Sequence, residues 1–590
     1  MRKLALLVVQ LALFASVFGQ KVKIYGTVTD EKDQPMFGVT VAVKGTGNGT
    51  LTDTLGKYEL QVEPGTHEVE FTYIGYSPHT SLITILDGKD RRQDVKMQEE
   101  AKEMDIVVVT GTKYQKKLGE EVTSMEVVKA QMIQQSNAKM DEAMNKVPGV
   151  NMMGRSIAIR GGSGFSDATS NRVLAMLDDL PIISPENGGI IWDMVPIEEL
   201  EQVEIIKGSA SSMFGSSALD GVLNLITVNP TPKMENKVIL SYGFYDQPKN
   251  KAWDWWWKRT VIKKNGKQLT HVQPRMYGGG SFLHRKQYGD VGVVLSGAYQ
   301  QNQNYLQNDD YILARMGAKF RYIPHKHPSL TTGINANFYY KAYKDFFAAA
   351  GIDSFMYTGA ATPPTVRQRA FNIDPYFNYY DNKDNRHAFK FRFMNVLYNS
   401  GTGDSTVSNE AYLDYTYLHN FKKIHLILTA GANGFYSLIR GKTFADLAAN
   451  VYKIQYYNTR DIMNYAAFAQ FEEKLFNKLT ISGGVRLEYA QLAGHTVQNR
   501  LPLINIISKA MGNKNDIYSP VTPLGRIGLN FQATEGTFIR ASFGQGFRYP
   551  ALAEKYVYTY RSGALVFPND SLRPENGWMA EVGIKQGVKI

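Results

Sequence analysis

The stretch Val203-Glu-Ile-Ile-Lys-Gly-Ser-Ala-Ser-Ser-Met-Phe-Gly-Ser-Ser-Ala-Leu-Asp-Gly-Val-Leu-Asn-Leu-Ile226 decides how this chain is read. A β-branched run from Val203 to Ile206 meets Lys207 and a turn that opens at Gly208. Small residues then lead to Gly215, and a second apolar run, Val222 to Ile226, follows Gly221. Two short strands joined by glycine and serine turns pack tightly and carry no reactive constellation.

Two stretches upstream belong with it. Val147-Pro-Gly-Val150 precedes Ile157-Ala-Ile-Arg-Gly-Gly162, and Val173-Leu-Ala-Met-Leu-Asp-Asp-Leu-Pro-Ile182 comes next. In this order the motifs resemble the plug domain of TonB-dependent outer-membrane receptors. The positions that match are Pro148, Gly149, Val150, Arg160, Gly161, Gly162, Asp178, Asp179, Glu204, Lys207, Gly208, Gly215, Gly221 and Asn224. The resemblance implies an all-β dominated chain: an N-terminal β-sandwich, a small α+β plug, and an antiparallel transmembrane β-barrel of the 22-stranded type, here partial.

Composition agrees. At 590 residues several domains are expected. Arg2 and Lys3, the apolar run Leu4 to Phe18, and Val17-Phe-Gly19 before Gln20 read as a cleaved secretory signal over residues 1–19. As a membrane anchor that run falls short of the ~20 residues a spanning helix needs. The absence of cysteine excludes disulfides, lipid attachment to an N-terminal Cys, and thiol catalysis. With 35 Tyr and 29 Phe but a mean hydropathy of -0.29, the chain is aromatic-rich yet too polar for a helical membrane protein. Strands that show lipid one apolar face and a lumen one polar face account for both. The net charge of +11 is spread along the chain with no basic block, so nothing argues for nucleic acid.

Residues 20–97 show short alternating runs broken by turn signals, at Ile24 to Thr29, Gly38 to Val43, Gly56 to Val62 and His67 to Ile74, and predict a small β-sandwich. Gly26-Thr-Val-Thr-Asp30, Pro35, Gly38-Val-Thr-Val41, Lys44-Gly-Thr46, Gly49-Thr50, Thr52-Asp53 and Gly56-Lys-Tyr58 resemble the carboxypeptidase-regulatory-like domain fused to many such receptors. His67 and His79 stand alone there, so an accessory or docking role is implied rather than peptidase chemistry. Residues 98–112 form a charged linker and a β-branched segment. Within it Asp105, Ile106, Val107, Val108, Val109 and Thr110 resemble a TonB box, which the energising partner captures as an added strand. The same run would also serve as a first plug strand; its place between the sandwich and the plug favours the box.

The plug is expected over residues 113–230. Gln131 to Val147 predicts a short helix with Met140, Met144 and Val147 on one apolar face, stopped by Pro148-Gly149. Arg160 has two open readings, an ion pair to the barrel wall or one inside the plug. Residues 231–590 read as barrel, with period-two runs at Val291 to Tyr299, Phe389 to Leu397 and Leu479 to Tyr489. Further strands are expected near Lys237, Arg275, Leu313, Leu330, Asn409, His425, Tyr465, Leu524, Thr537 and Trp578. That makes about thirteen by pattern, against ~22 for a plugged barrel of this type. The chain stops at Val588-Lys-Ile590 without a terminal aromatic strand, and Phe547-Arg-Tyr-Pro550 through Glu581-Val-Gly583 resembles a block that lies well before the family's C-terminus. A truncated coding sequence or fragment is therefore expected.

Enzymatic signatures are absent. Arg160-Gly-Gly-Ser-Gly-Phe165 lacks the lysine of a phosphate loop, and His325 and His327 read as a surface hairpin rather than a metal site. No cofactor is expected. Gln300 to Tyr311 and Tyr343 to Thr362 offer amides and aromatics that could hold a ligand, whose contact residues stay unknown. Trp253 with Trp255, Trp256 and Trp257 invites a sugar platform, but an aromatic girdle or a packed loop explains them better. Haem receptors of the family place a histidine between two motifs, yet Phe547-Arg-Tyr-Pro550 and Pro568-Asn-Asp-Ser-Leu572 bracket none, which disfavours haem. The resemblance implies energy-coupled import of a scarce ligand across the outer membrane: a ferric siderophore, a vitamin, or an oligosaccharide or peptide. Implied partners are TonB with its inner-membrane energising complex, outer-membrane lipid, the small-molecule ligand and, for an oligosaccharide importer, a surface lipoprotein. The N-terminal domain would lie in the periplasm. The alternative is an outer-membrane receptor or adhesin that binds or signals without transport.

Overall fold

A computed structural model of the chain describes residues 22–97, 107–161, 171–246, 258–344, 364–442, 458–496 and 521–587, with short breaks inside these ranges. The expected signal segment, the 98–106 linker with Asp105 and Ile106, Val109, Gly162, Trp253 and Trp255 to Trp257, and residues 345–363 lie outside the described residues. The chain divides into two compact units, one reaching to Val107 and one made chiefly of Glu120–Lys585.

The first unit is a pair of small sheets. Val22–Thr29 pairs antiparallel with Lys57–Val62 and parallel with Arg91–Arg92 and Val95–Lys96. The second sheet runs Gly49–Leu51, Thr40–Val43, Gly65–Thr72, His79–Ile85 in spatial order. Alternate residues turn inward, so that Ile24, Val28, Leu60 and Val62 meet Val41, Val69, Phe71 and Ile85 in one apolar core. Full burial of such side chains stabilises by roughly 1.5–3 kcal/mol each.

The second unit has an inner and an outer part. The inner part is a sheet in the order Met125–Lys129, Leu200–Lys207, Gly221–Thr227, Val173–Leu177, Leu180–Pro181. Val173–Leu177 and Gly221–Thr227 read as nearly continuous apolar runs because both faces are covered: all five residues of Val173–Leu177 are buried. Ile133, Met140, Met144 and Val147, from the segment expected to be helical, lie in the same core.

The outer part is a long sheet in which fourteen strands follow one another in chain order from Glu235–Phe244 to Glu575–Gln586. On one edge the links are residues 289–290, 323–329, 381–385, 422–425, 476–478 and 535–536; on the other they are 245–275, 303–310, 345–364, 400–404, 442–457, 493–520 and 549–574, five of the seven being sixteen residues or longer. Short turns on one rim and long loops on the other are the pattern of a membrane barrel wall. The expectation of about thirteen strands misses Thr365–Tyr380, which carries Pro375 in mid-strand. Proline demotes a candidate strand because it cannot donate to a ladder; here the register resumes on either side of it, with Ile373 opposite Phe393 and Tyr376 opposite Lys390. Asn372 and Asp374 face inward and are buried, while Phe371, Ile373 and Phe377 face out.

Glu235–Phe244 and Glu575–Gln586 are the two ends of this sheet. Their outward side chains are bare on a scale not seen inside it: Leu240 is 82% and Val582 81% exposed, against 40% for Ile373. An interior strand is flanked on both sides, and these are not.

Candidate functional site at the plug and its wall

Several motifs first seen in the sequence meet each other within the plug. Lys207 Nζ donates to the Pro148 carbonyl oxygen at 2.7 Å and pairs with Glu126, so one ammonium ties the Pro148-Gly149 turn to the inner sheet. Gly149 has φ +74°. Gly215 ends the short helix Ser211–Phe214 with φ +82°. A Cβ there would stand 2.6 Å from Glu488 Oε2 and 2.7 Å from Arg486 Nη2 of the wall, so glycine is required on two counts.

Asp178 and Asp179 form the two-residue turn between Val173–Leu177 and Leu180–Pro181, with φ of 52° and 70°. A hairpin this tight needs positive φ at both central residues, and aspartate tolerates that conformation better than most. The turn therefore aims both carboxylates outward at the wall, where Lys319 Nζ meets Asp178 Oδ2 at 2.8 Å and Lys390 Nζ meets Asp179 Oδ2 at 2.6 Å. Burial alone would raise both carboxyls, but the lysine ammonium groups and the hydroxyl or amide donors beside them prevail and hold both below the usual carboxylate range.

The same pairing recurs around the plug. Lys113 meets Asp414 at 2.9 Å, Lys116 meets Glu472 at 2.8 Å, Arg172 meets Glu575 at 2.7 Å and Glu198 meets Arg315 at 3.0 Å. Arg160, left open between two readings, pairs with the wall: its guanidinium donates to both oxygens of Glu581 at 3.0 Å. Among the described residues the buried apolar clusters that join the two parts are small, such as Ile191 and Met194 against Leu313, Tyr339, Ala370 and Met394. An interface built largely from charge pairs can exchange its partners for water, whereas a greasy seam of equal area resists opening.

Toward the long-loop rim, Arg155 of the plug and Lys341 of the wall share Asp193, at 2.8 and 3.0 Å. Burial works to raise the Asp193 carboxyl, but Lys341 and Arg155 hold it well below the ordinary range. Lys341 Nζ also sits over the Tyr311 and Tyr343 rings, 5.3 and 5.1 Å from their centroids. Nearby on the same rim Tyr245 packs against Tyr277 and Tyr305 and donates to Asn302 at 3.0 Å. Rings, amides and cations are thus gathered above the plug, including Asn302 and Tyr311 from the loop flanks that the sequence marked. Glu186, in the plug turn nearest Thr406, is pushed up to about 7 by burial, against a smaller lowering by the Thr406 hydroxyl.

Of the box residues, Val107–Val108 forms a two-residue strand beside Lys116–Lys117, and Val108 is fully buried. Thr110 is held by the inner sheet: its N–H and Oγ1 donate to Glu204 Oε2 at 2.8 and 2.5 Å, and Asn224 Nδ2 donates to its Oγ1 at 2.9 Å. Sequence reasoning did not single out Arg155, Arg172, Asp193, Lys319, Lys341 or Lys390. A charged residue at an inward position of a wall strand was the available signal for the three lysines. Among the described residues no three His, Cys, Asp or Glu side chains converge as a metal site.

Comparison with known proteins gives three consecutive family matches: a CarboxypepD_reg-like domain over residues 24–109, a TonB-dependent Receptor Plug Domain over 117–222, and a TonB dependent receptor-like β-barrel over 242–589. The vitamin B12 transporter BtuB of Vibrio vulnificus is 32% identical over 152 residues, covering 25% of this chain and 24% of that protein. The TonB-dependent receptor SusC of Bacteroides thetaiotaomicron is 30% identical over 241 residues, 38% of this chain and 23% of that one. The matched stretches thus span about a quarter of the length of these curated relatives. In fold the chain is similar to the siderophore receptor PirA of Pseudomonas aeruginosa, with a TM-score of 0.56 at 15% identity over 79% of this chain and 72% of that one.

Proposed function

The chain belongs to the TonB-dependent receptor family, and from that premise we propose that it serves energy-coupled import of a scarce ligand across the bacterial outer membrane. Barrels of this family are outer-membrane proteins. In this reading the short-turn rim and the N-terminal sandwich face the periplasm, and the long loops face outward. The ring of ion pairs between plug and wall is the observation that carries it, because a stopper held by exchangeable contacts is suited to being moved.

Ligand would settle on the Arg155, Lys341, Tyr311 and Tyr343 side of the plug, where cations and rings are gathered. Asp105 to Thr110 would be captured by TonB as an added strand, and the inner-membrane complex would pull on it. No bond in the ligand is made or broken. Of the proteins named above, one is a vitamin B12 transporter and one a siderophore receptor, which supports a vitamin or siderophore; an oligosaccharide or peptide remains part of the proposal.

Deleting Ile106–Val109 tests the reading in cells supplied with ferric siderophores, cobalamin or oligosaccharides. Energised uptake is expected to vanish while ligand binding persists. Uptake at the parental rate would remove the transport reading, and binding with no energised uptake by the parental chain would favour a receptor instead.

A further inference from the structure

We infer that Asn224 is a positioning residue that locks Thr110, two positions after the buried Val108, into the plug for as long as the Asp178-Asp179 turn stays docked on Lys390. This rests on the transport reading only for its purpose; the lock itself is a matter of geometry.

Asn224 is fully buried in the middle of Gly221–Thr227. Its side-chain amide has two N–H bonds, and they go to two different segments: one to Thr110 Oγ1 at 2.9 Å, the other to Asp179 Oδ1 at 2.6 Å. Its carbonyl oxygen accepts from the Asp179 N–H at 3.2 Å. The second oxygen of Asp179 holds Lys390 Nζ at 2.6 Å, and the same ammonium donates to the Asp178 carbonyl oxygen at 3.0 Å. Thr110 is 1% exposed and completes the set through Glu204, itself fully buried.

A planar amide keeps both donors satisfied only when Thr110 and the turn are in place together. If the turn leaves Lys390, Asp179 drags on the amide and the Thr110 contact is the one that gives. If Thr110 is pulled away, Asn224 and Glu204 lose partners they cannot replace with solvent, so release of one end is felt at the other. The segment that carries the turn continues to the ligand side. Arg392 Nη1 donates to the carbonyl oxygens of Leu180 and Pro181, and Asp193 meets Arg155 and Lys341. Occupation of the Arg155 and Lys341 side and freedom of the box segment are thereby opposite ends of one stretch, residues 179–193, fastened at its lower end by Asn224.

The chain has no cysteine, so a single introduced thiol reports without interference. Val108→Cys in outer membranes is expected to react slowly with a soluble maleimide in the parental background, and Val173→Cys, deep in the plug core, equally slowly as a folding control. Thr110→Val, which removes the two hydrogen bonds of Oγ1, and Asn224→Ala, which removes the amide's bonds to Thr110 and Asp179, should each speed Val108→Cys labelling by about tenfold or more and leave Val173→Cys unchanged. Lys390→Met should speed it as well, and combining it with Asn224→Ala should add little. Labelling of Val108→Cys at the parental rate in Asn224→Ala overturns the lock whatever Thr110→Val does, because Thr110 is also held by Glu204. A parental rate in Lys390→Met overturns its coupling to the wall. If Asn224→Ala speeds both thiols, the plug has loosened as a whole and Thr110→Val decides: acceleration of Val108→Cys alone supports the lock, and any other result sinks it. No TonB and no ligand enter the measurement, so a failure of the transport reading would appear separately, in the uptake of the box deletion.

Discussion

Arg160 of the plug and Glu581 of the wall meet through two parallel N–H···O bonds, each 3.0 Å long. They lie 421 positions apart in the chain, and their pairing is one of the contacts that hold the inner part to the outer. Bidentate pairs of this kind are both stronger and more directional than a single ammonium contact.

Glu581→Gln should weaken plug retention by about 1–2 kcal/mol, a value between those of exposed and buried pairs. Arg160→Lys should lose roughly half as much, because the charge survives and the fork does not. The urea concentration at which a protease first nicks the plug, with the wall intact, measures both. Equal midpoints for parental and Glu581→Gln protein would show that the pair contributes nothing.

Gly215→Ala should be among the most damaging single changes in the plug. It places a Cβ within 2.6 Å of Glu488 Oε2 at a residue with φ +82°, and a loss of about 2 kcal/mol or more is expected from strain and displacement of that carboxylate. The same protease assay reads it, with Ser216→Ala as the comparison, which removes the acceptor of the Tyr549 N–H but strains no backbone, and should cost about 1 kcal/mol.

Stability should fall on both sides of a mildly acidic optimum. Asp178, Asp179 and Asp193 have folded values below the ordinary one; their contribution is fully present above an unfolded value of ~3.9 and is lost as pH falls through the lower folded values. Glu186 runs the other way. Its folded value of about 7 gives stability that is present below an unfolded value of ~4.3 and is lost as pH rises through 7. Thermal unfolding in detergent across this range should show both limbs, and Glu186→Gln should reduce the upper one, to which the buried Glu121 and Glu199 also contribute, while leaving the lower one unchanged.

Arg155→Ala should weaken ligand binding about tenfold, the effect of one charge-assisted contact, and leave plug retention near the parental level because Lys341 still holds Asp193. Equilibrium binding to whole cells at 4 °C, where uptake is arrested, measures it. Unchanged affinity would place the ligand elsewhere on the long-loop rim.

The order sandwich, plug, wall was readable because each part writes its own period: alternation in residues 22–85, apolar runs in Val173–Leu177 and Gly221–Thr227, long alternation from Glu235 onward. The turn ending at Gly215 was also visible, and the Asp178-Asp179 pair was marked as a motif, though not as the hairpin turn that its positive φ values show it to be. Thr365–Tyr380 was hidden by Pro375, a local signal overruled by neighbours on both sides. What the sequence withheld was partnership. Lys390 is an unremarked inward lysine on a wall strand until the fold brings Asp179 to it from 211 positions away, and no periodicity encodes that meeting.

The inward face of the wall has one more consequence. Lys319, Lys341, Lys390, Asp414, Glu472 and Glu581 all engage the stopper; were it drawn out, as the proposed transport requires, they would border a water-filled passage of mixed sign. Such a passage wets at once and neither collapses upon itself nor traps greasy cargo. Hydrophilic solutes would cross it with little stickiness, and the returning stopper would find its counter-charges already in position.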